Sequence, residues 1–173
     1  MLFPWRDSAA PVLGRPRVLS DGRVLIEAFD PQSFRIRTRY HTPVLALAAL
    51  GYRVLDSSGH KLTGLHWALR GTQNYDWSAH SAIYASDTRA PDFDCWFRPN
   101  CEPRWDYVLA GGLAPSIPEL GLPSGHYVLR AYGWDWAGNA STIDHGFRVG
   151  GARRTTTRRA TPRVARAKRA DEG

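Results

Sequence analysis

The sequence is poor in several features that mark particular classes of protein. Among its 173 residues there are only two cysteines, two lysines and one methionine. Its most apolar stretch, Pro43–Tyr52, is far shorter than the ~18–20 residues of a membrane-spanning helix, so no span is predicted. The N-terminus lacks a charged start followed by an apolar run, so no signal peptide is predicted. The protein is then either cytoplasmic or begins inside a longer secreted precursor.

Motifs of common enzyme classes are also missing. There is no G-x-S-x-G elbow, no glycine-rich phosphate loop and no H-E-x-x-H helix. Asp92 and Asp94 offer too few oxygens for calcium, which takes roughly six to eight. The histidines are scattered, without metal-site spacing: His41, His60, His66, His80, His126 and His145. These absences predict a non-catalytic protein without a metal or cofactor. The alternative is a secreted hydrolase whose site lies in residues 71–105.

Positive charge is concentrated at the C-terminus. Residues 1–150 contain 15 basic and 14 acidic residues, a net charge of +1. Residues 151–173 contain eight basic and two acidic residues and almost no large apolar side chain, which predicts a disordered tail. The cationic residues of the tail are Arg153, Arg154, Arg158, Arg159, Arg163, Arg166, Lys168 and Arg169. They predict contact with a polyanion. If that polyanion is a nucleic acid, binding should not depend on base sequence, because the tail lacks aromatic residues for stacking on bases. An anionic wall polymer, an acidic protein face or no partner at all are the alternatives.

The body of the chain alternates apolar and polar residues at the period of β-strands. Asp21-Gly22 is a turn signal between two short apolar runs, as in a hairpin. Residues 33–40 alternate strictly, with three arginines on one face, which is typical of a half-buried strand. Val44–Gly51 is predicted as a buried strand, with a helical turn as the alternative because alanine and leucine favour helix. Leu62–Leu69 is predicted as a return strand after a turn. Long amphipathic helices are missing, so the fold is predicted to be all-β.

Residues 71–105 break this pattern and are predicted to be a long loop insertion. A loop of this length in a compact domain is often functional. Three of its aromatic residues are candidates for binding: Tyr75, Trp77 and Trp96. They either anchor the loop or form a contact surface for a sugar or a protein. Trp134 and Trp136 lie at a predicted hairpin turn and are the strongest candidates for such a surface.

The two cysteines, Cys95 and Cys101, lie on either side of a Pro-Asn turn signal. Their spacing suits a small loop closed by a disulfide, which would stabilise the fold by roughly 2 kcal/mol if unstrained. Free thiols and metal binding are the alternatives, although a zinc site needs more ligands than this pair supplies. A disulfide predicts a location outside the reducing cytosol.

The clearest family signal begins at Leu122. Leu122, Gly125 and Tyr127 form an L-x-x-G-x-Y pattern, which continues into an alternating strand, a D-W-A-G-N turn and a second strand over residues 141–149. The pattern resembles the tyrosine corner of immunoglobulin-like and fibronectin type III sandwiches, and the segment resembles the last two strands of bacterial immunoglobulin-like repeats. This resemblance implies a hydrogen bond from the Tyr127 hydroxyl to backbone a few residues upstream. It also favours the disulfide, because a similar cysteine pair precedes the final strands in some of these domains.

These features predict an immunoglobulin-like antiparallel β-sandwich over residues 11–150, after a flexible leader of residues 1–10 and before the tail. The bias towards arginine over lysine is typical of GC-rich bacterial genomes. The expected function is non-catalytic binding or structure at the bacterial cell envelope or outside the cell, with a protein or glycan as partner. The alternative is an intracellular nucleic-acid-associated or particle-structural protein that uses its basic tail.

Overall fold

The computed structural model describes residues 7–31, 33, 46–73, 75–88 and 105–150. Within these residues, eight strands form two antiparallel sheets, which confirms the all-β prediction. The strands are β1 (Val12–Leu13), β2 (Arg17–Val18), β3 (Val24–Phe29), β4 (Ala49–Asp56), β5 (His66–Arg70), β6 (Asp106–Ala110), β7 (Gly125–Trp134) and β8 (Ala140–Val149). The helical segments are the single-turn α1 (His80–Ile83) and 3-10 turns at Trp77–Ala79 and Pro118–Leu120.

The first sheet, sheet I, is built around β3. β1 and β2 pair end to end along one edge of β3, and β6 pairs along the other edge. The hairpin between β2 and β3 turns at Gly22, whose φ of 84° lies in the left-handed region that favours glycine. The N–H of Gly22 donates to the carbonyl of Leu19 at 3.0 Å, as the predicted turn requires.

The second sheet, sheet II, has the order β5-β4-β7-β8. β7 and β8 form the long hairpin predicted around the D-W-A-G-N turn, and Gly138 in that turn has a φ of 93°. A bulge between Leu50 and Gly51 shifts the pairing of β4 with β5. The return strand predicted over Leu62–Leu69 begins later than expected, at His66.

The inner faces of the two sheets meet in one core. Every second residue of β3, β4 and β7 points into it and is fully buried: Val24, Ile26, Ala28, Leu50, Tyr52, Val54, Leu129 and Ala131. Burying a large apolar side chain stabilises a fold by about 1.5–3 kcal/mol, so a slip of one residue in any of these strands would be costly. The alternation therefore also fixes which side chains of sheet II remain on its outer face.

Two buried tyrosines link the sheets through their hydroxyl groups. The hydroxyl of Tyr107 on β6 accepts the N–H of Leu47, just ahead of β4 in the other sheet, at 3.1 Å. Tyr52 on β4 reaches the opposite way and donates to the carbonyl of Pro115, in the loop after β6, at 2.5 Å. Burial raises the pKa of both tyrosines, so both side chains are neutral at physiological pH.

The described start of the predicted insertion covers the free edge of β6. Tyr84 forms a β-bridge with Tyr107, and the N–H of Ala85 donates to the carbonyl of Asp106 at 2.8 Å. The hydroxyl of Thr88 donates to the same carbonyl at 2.7 Å. Pairing of this kind satisfies backbone groups that an open sheet edge would expose.

Several predicted features lie outside the described residues. They are most of the strand expected at residues 33–40, the start of the leader, the two cysteines and the basic tail. In the parts of the chain that are described, no helix has the length and apolar character needed to cross a membrane.

Tyr127 lies near the start of β7. Its hydroxyl donates to the carbonyl of Pro123, four residues upstream, at 2.8 Å, which is the kind of bond that a tyrosine corner makes. Gly125 leaves room for it, because a Cβ at that position would lie 3.2 Å from the hydroxyl oxygen. Leu122 packs against the core beside them.

We expect Tyr127→Phe to lower the free energy of unfolding by about 1 kcal/mol, since the hydrogen bond is lost while the ring stays. Gly125→Ala should cost more in the wild type than in the Tyr127→Phe background, because its new Cβ crowds the hydroxyl. Urea denaturation of the wild type, both single variants and the double variant measures this coupling. Equal costs of Gly125→Ala in the two backgrounds would contradict the role given to the hydroxyl.

Candidate functional site

The outer face of sheet II carries a row of aromatic side chains. Tyr132 and Trp134 alternate with the buried residues of β7 and therefore point outward. Trp67 points the same way from β5, and Trp136 follows in the turn between β7 and β8. We call these four residues the aromatic strip.

Small residues on β4 bring the rings of the strip together. β4 lies between β5 and β7 and presents Ala49 and Gly51 on the outer face. The rings of Trp67 and Trp134 meet above it, with centroids 5.2 Å apart, although their strands are about 10 Å apart. A Cβ at Gly51 would lie 2.7 Å from the carbonyl oxygen of His66 and 3.5 Å from the Trp67 ring. A larger residue at Gly51 would therefore disturb the contact.

Trp136 is the most exposed ring of the strip, with 62% of its surface accessible. It rests against the backbone at Gly71, where a Cβ would lie only 2.5 Å from Cη2 of the indole. Gly71 is itself held by its N–H, which donates to the carbonyl of Ala48 at 2.6 Å. One side of the indole is thus supported by the protein while the rest faces solvent, which reduces the ordering cost of a contact made there.

Arginines lie beside the strip on the same face. The guanidinium of Arg70 stands 5.1 Å from the centroid of the Trp67 ring, within cation–π range. Arg130 donates two hydrogen bonds to Asp144, both of 2.7 Å, and this pairing lowers the pKa of the Asp144 carboxyl. Arg53 lies opposite Arg130, and its Nε–H is buried without a hydrogen-bond acceptor among the described residues.

Of the other predicted binding residues, only Tyr75 has a described side chain, and it lies away from the strip. The hydroxyl of Tyr75 accepts the N–H of Arg70 at 3.0 Å and donates to Gln73 at 2.6 Å, while its ring packs against the core. Tyr75 is therefore an anchor at the end of β5. The side chain of Trp77 and the whole of Trp96 lie outside what the structure describes.

Three carboxylates meet near the β7–β8 turn, an arrangement that the sequence analysis missed. Oxygens of Asp7, Asp30 and Asp135 lie within 4.8 Å of one another, and Asp30 and Asp135 are buried. Oxygen donors suit calcium or magnesium by type, but three carboxylates fall short of the roughly six to eight ligands that calcium takes. The three residues are far apart in sequence, so no local spacing signals the cluster.

The side-chain amide of Asn139 contacts one carboxylate of this cluster. Its Nδ2 donates to Asp135 at 2.7 Å and to the backbone carbonyls of Asp7 and Ala9 at 3.1 Å each. Asp135 also accepts the backbone N–H of Asn139 at 2.8 Å. The amide thus satisfies one carboxylate of the cluster and ties the turn to residues 7–9.

A cavity of about 700 Å³ lies beside sheet I, at the described start of the insertion. Arg17 on β2 reaches two carboxylates there, Asp106 at 3.2 Å and Asp87 at 3.6 Å. Thr88 and Trp105, which border the undescribed segment, form part of its wall. These ion pairs give Arg17, Asp87 and Asp106 a structural role beside the cavity. The alternative of a hydrolase with its site in residues 71–105 stays a prediction.

We expect Asn139→Ala to lower the free energy of unfolding by about 2 kcal/mol, because it leaves buried acceptors without their donor. Urea denaturation with and without calcium measures the loss. Thr142→Ala, an exposed change on the neighbouring strand, is the control and should stay within about 0.5 kcal/mol. Unchanged stability would contradict the role given to the Asn139 amide, and a loss that calcium fully reverses would show that a cation can balance these carboxylates.

Comparisons of the chain with protein-family models, with curated proteins and with solved structures give no match. The aromatic strip and the arginines beside it are therefore interpreted from their own contacts and chemistry.

Proposed function

We propose that this chain is a non-catalytic binding domain with an immunoglobulin-like β-sandwich fold, and that it binds a polysaccharide on the aromatic strip. The bond from Tyr127 to Pro123 and the pair of antiparallel sheets support the fold. The observation that carries the binding role is the exposed indole of Trp136, supported by Gly71 and following the contacting rings of Tyr132, Trp134 and Trp67.

A polysaccharide suits the strip because both surfaces are flat and partly apolar. The C–H face of a sugar ring stacks on an aromatic ring while the sugar hydroxyls stay in water, so little polar surface loses its hydration. The strip runs across the open face of sheet II rather than into a deep pocket, which leaves room for an extended chain. A protein partner would need a specific interface of about 1,000 Å² or more around the same rings.

The proposed setting is the bacterial cell envelope or the space outside the cell, where polysaccharides are accessible to a binding domain. The basic tail supports a second candidate, an intracellular protein that contacts nucleic acid. The eight cationic residues within residues 151–173 are the observation that favours it.

We expect Trp136→Ala to weaken binding to a polysaccharide about tenfold or more, because truncating an aromatic anchor at a contact surface typically costs at least ~1.4 kcal/mol. Gly71→Ala should weaken binding as well, since its Cβ displaces the indole. Affinity electrophoresis against a panel of neutral and acidic polysaccharides identifies the ligand, and titration calorimetry then gives the affinity.

The matched control is Leu113→Ala, which removes an exposed apolar side chain from the loop after β6 in sheet I. It should leave the affinity within about twofold of the wild type. Thermal unfolding of each variant shows that the sheets are intact. Wild-type protein that no polysaccharide in the panel retards, or a Trp136→Ala variant that binds as tightly as the wild type, would overturn the proposal.

A further inference from the structure

Resting on the proposed function, we infer that the polysaccharide is acidic, and that arginines beside the aromatic strip bind its carboxylate groups. The ligand class is a uronic-acid chain. Three observations support it: the charge on the outer face of sheet II, the partners of the individual guanidinium groups, and their positions beside the rings.

Positive charge is concentrated on this face. By strand register, the four strands of sheet II present Arg53, Arg70, Arg130 and Arg148 on it, against Asp144 as the one acidic residue. Four positive charges against one give a net +3, whereas residues 1–150 as a whole have 15 basic and 14 acidic residues. Residues 1–150 are thus nearly neutral overall, but their positive charge is unevenly distributed. The excess on the outer face of sheet II attracts anions.

Three of these arginines, Arg53, Arg70 and Arg148, have no carboxylate partner in the described part of the chain, and Arg53 and Arg70 are the two that lie near the rings. Arg130 is engaged by Asp144 through two hydrogen bonds. Arg70 lies over the Trp67 ring, which holds its guanidinium in place but supplies no oxygen acceptor. Arg53 is half-buried, and its Nε–H, which is closed off from solvent, has no acceptor. A ligand carboxylate would balance the charge of both guanidinium groups and accept hydrogen bonds from their accessible nitrogens.

Arg70 lies at the ring contact, and Arg53 lies beyond it along β4. Trp134 and Trp67 pair with Ala49 and Gly51, and the Arg70 guanidinium stands over the Trp67 ring. Arg53 is two residues past Gly51 on the same face of that strand, or roughly 7 Å. An extended sugar chain on the rings would therefore meet one cation at the contact and a second cation further along β4. Carboxylates repeated along the chain would reach both.

The small number of arginines near the rings favours a uronic-acid chain over a nucleic acid. Proteins that bind nucleic acids usually neutralise several phosphates, and much of their affinity comes from those contacts. A uronic-acid chain also stacks the C–H faces of its sugars on the strip, so two arginine contacts suffice for a preference. A single-stranded nucleic acid nevertheless stacks on aromatic rings, so it is included among the probes.

The test compares two forms of one backbone: polygalacturonate and its fully methyl-esterified form, which has the same sugars without the charge. The full-length wild type should bind polygalacturonate about tenfold more tightly at low salt. An Arg53→Gln and Arg70→Gln double variant should lose this difference while still binding the ester. Arg148→Gln, on the same face but opposite His126 at the other end of β8, is the control and should keep the preference.

Each other outcome has a defined meaning. Equal wild-type affinity for both forms, with Trp136→Ala weakening both, would overturn the inference and leave the proposed function standing. No binding of either form, by a protein that also binds no other polysaccharide, would overturn both. A charge preference that survives in the double variant would locate it on another surface, such as the basic tail, and so overturn the inference. Tighter binding of a thymidine oligonucleotide than of polygalacturonate would overturn it in favour of a nucleic acid.

Discussion

The contact between Trp67 and Trp134 across β4 depends on two small residues of that strand. Ala49 and Gly51 leave the outer face above β4 empty, and rings from the strands on either side fill it. Larger side chains at these positions would hold the rings apart and leave isolated aromatic residues instead of a strip. The proposed binding surface therefore depends on the small side chains of β4 as much as on the tryptophans of β5 and β7.

The other face of sheet II is fixed by the core. Tyr52 and Tyr107 reach across between the sheets in opposite directions, and each hydroxyl meets a backbone group near the partner sheet. These bonds join the sheets from inside the core. Trp136 joins the aromatic strip from the turn between β7 and β8. Asn139 ties this turn to residues 7–9, and the turn places the Trp136 indole against Gly71.

The strand pattern of the sequence was enough to predict an all-β fold and the alternating strand that follows Tyr127, because alternation is a local property. It also singled out Trp134 and Trp136, since aromatic residues at a hairpin turn are conspicuous. It could not pair Trp67 with Trp134, because that contact depends on the register of three strands and on a bulge. Tyr75 was predicted either to anchor the insertion or to bind, and its hydrogen bonds fit the anchor. The carboxylate cluster was missed because its members come from distant segments.

The most direct test of this account is a titration with polygalacturonate, followed through the indole N–H signals of the seven tryptophans in a proton–nitrogen NMR spectrum. Single Trp→Phe variants assign the signals. The account predicts that the Trp67, Trp134 and Trp136 signals shift together and saturate at one ligand concentration, while the Trp105 signal, whose N–H is buried beside sheet I, does not move. Saturable shifts at Trp105 with the three strip signals unchanged would contradict it.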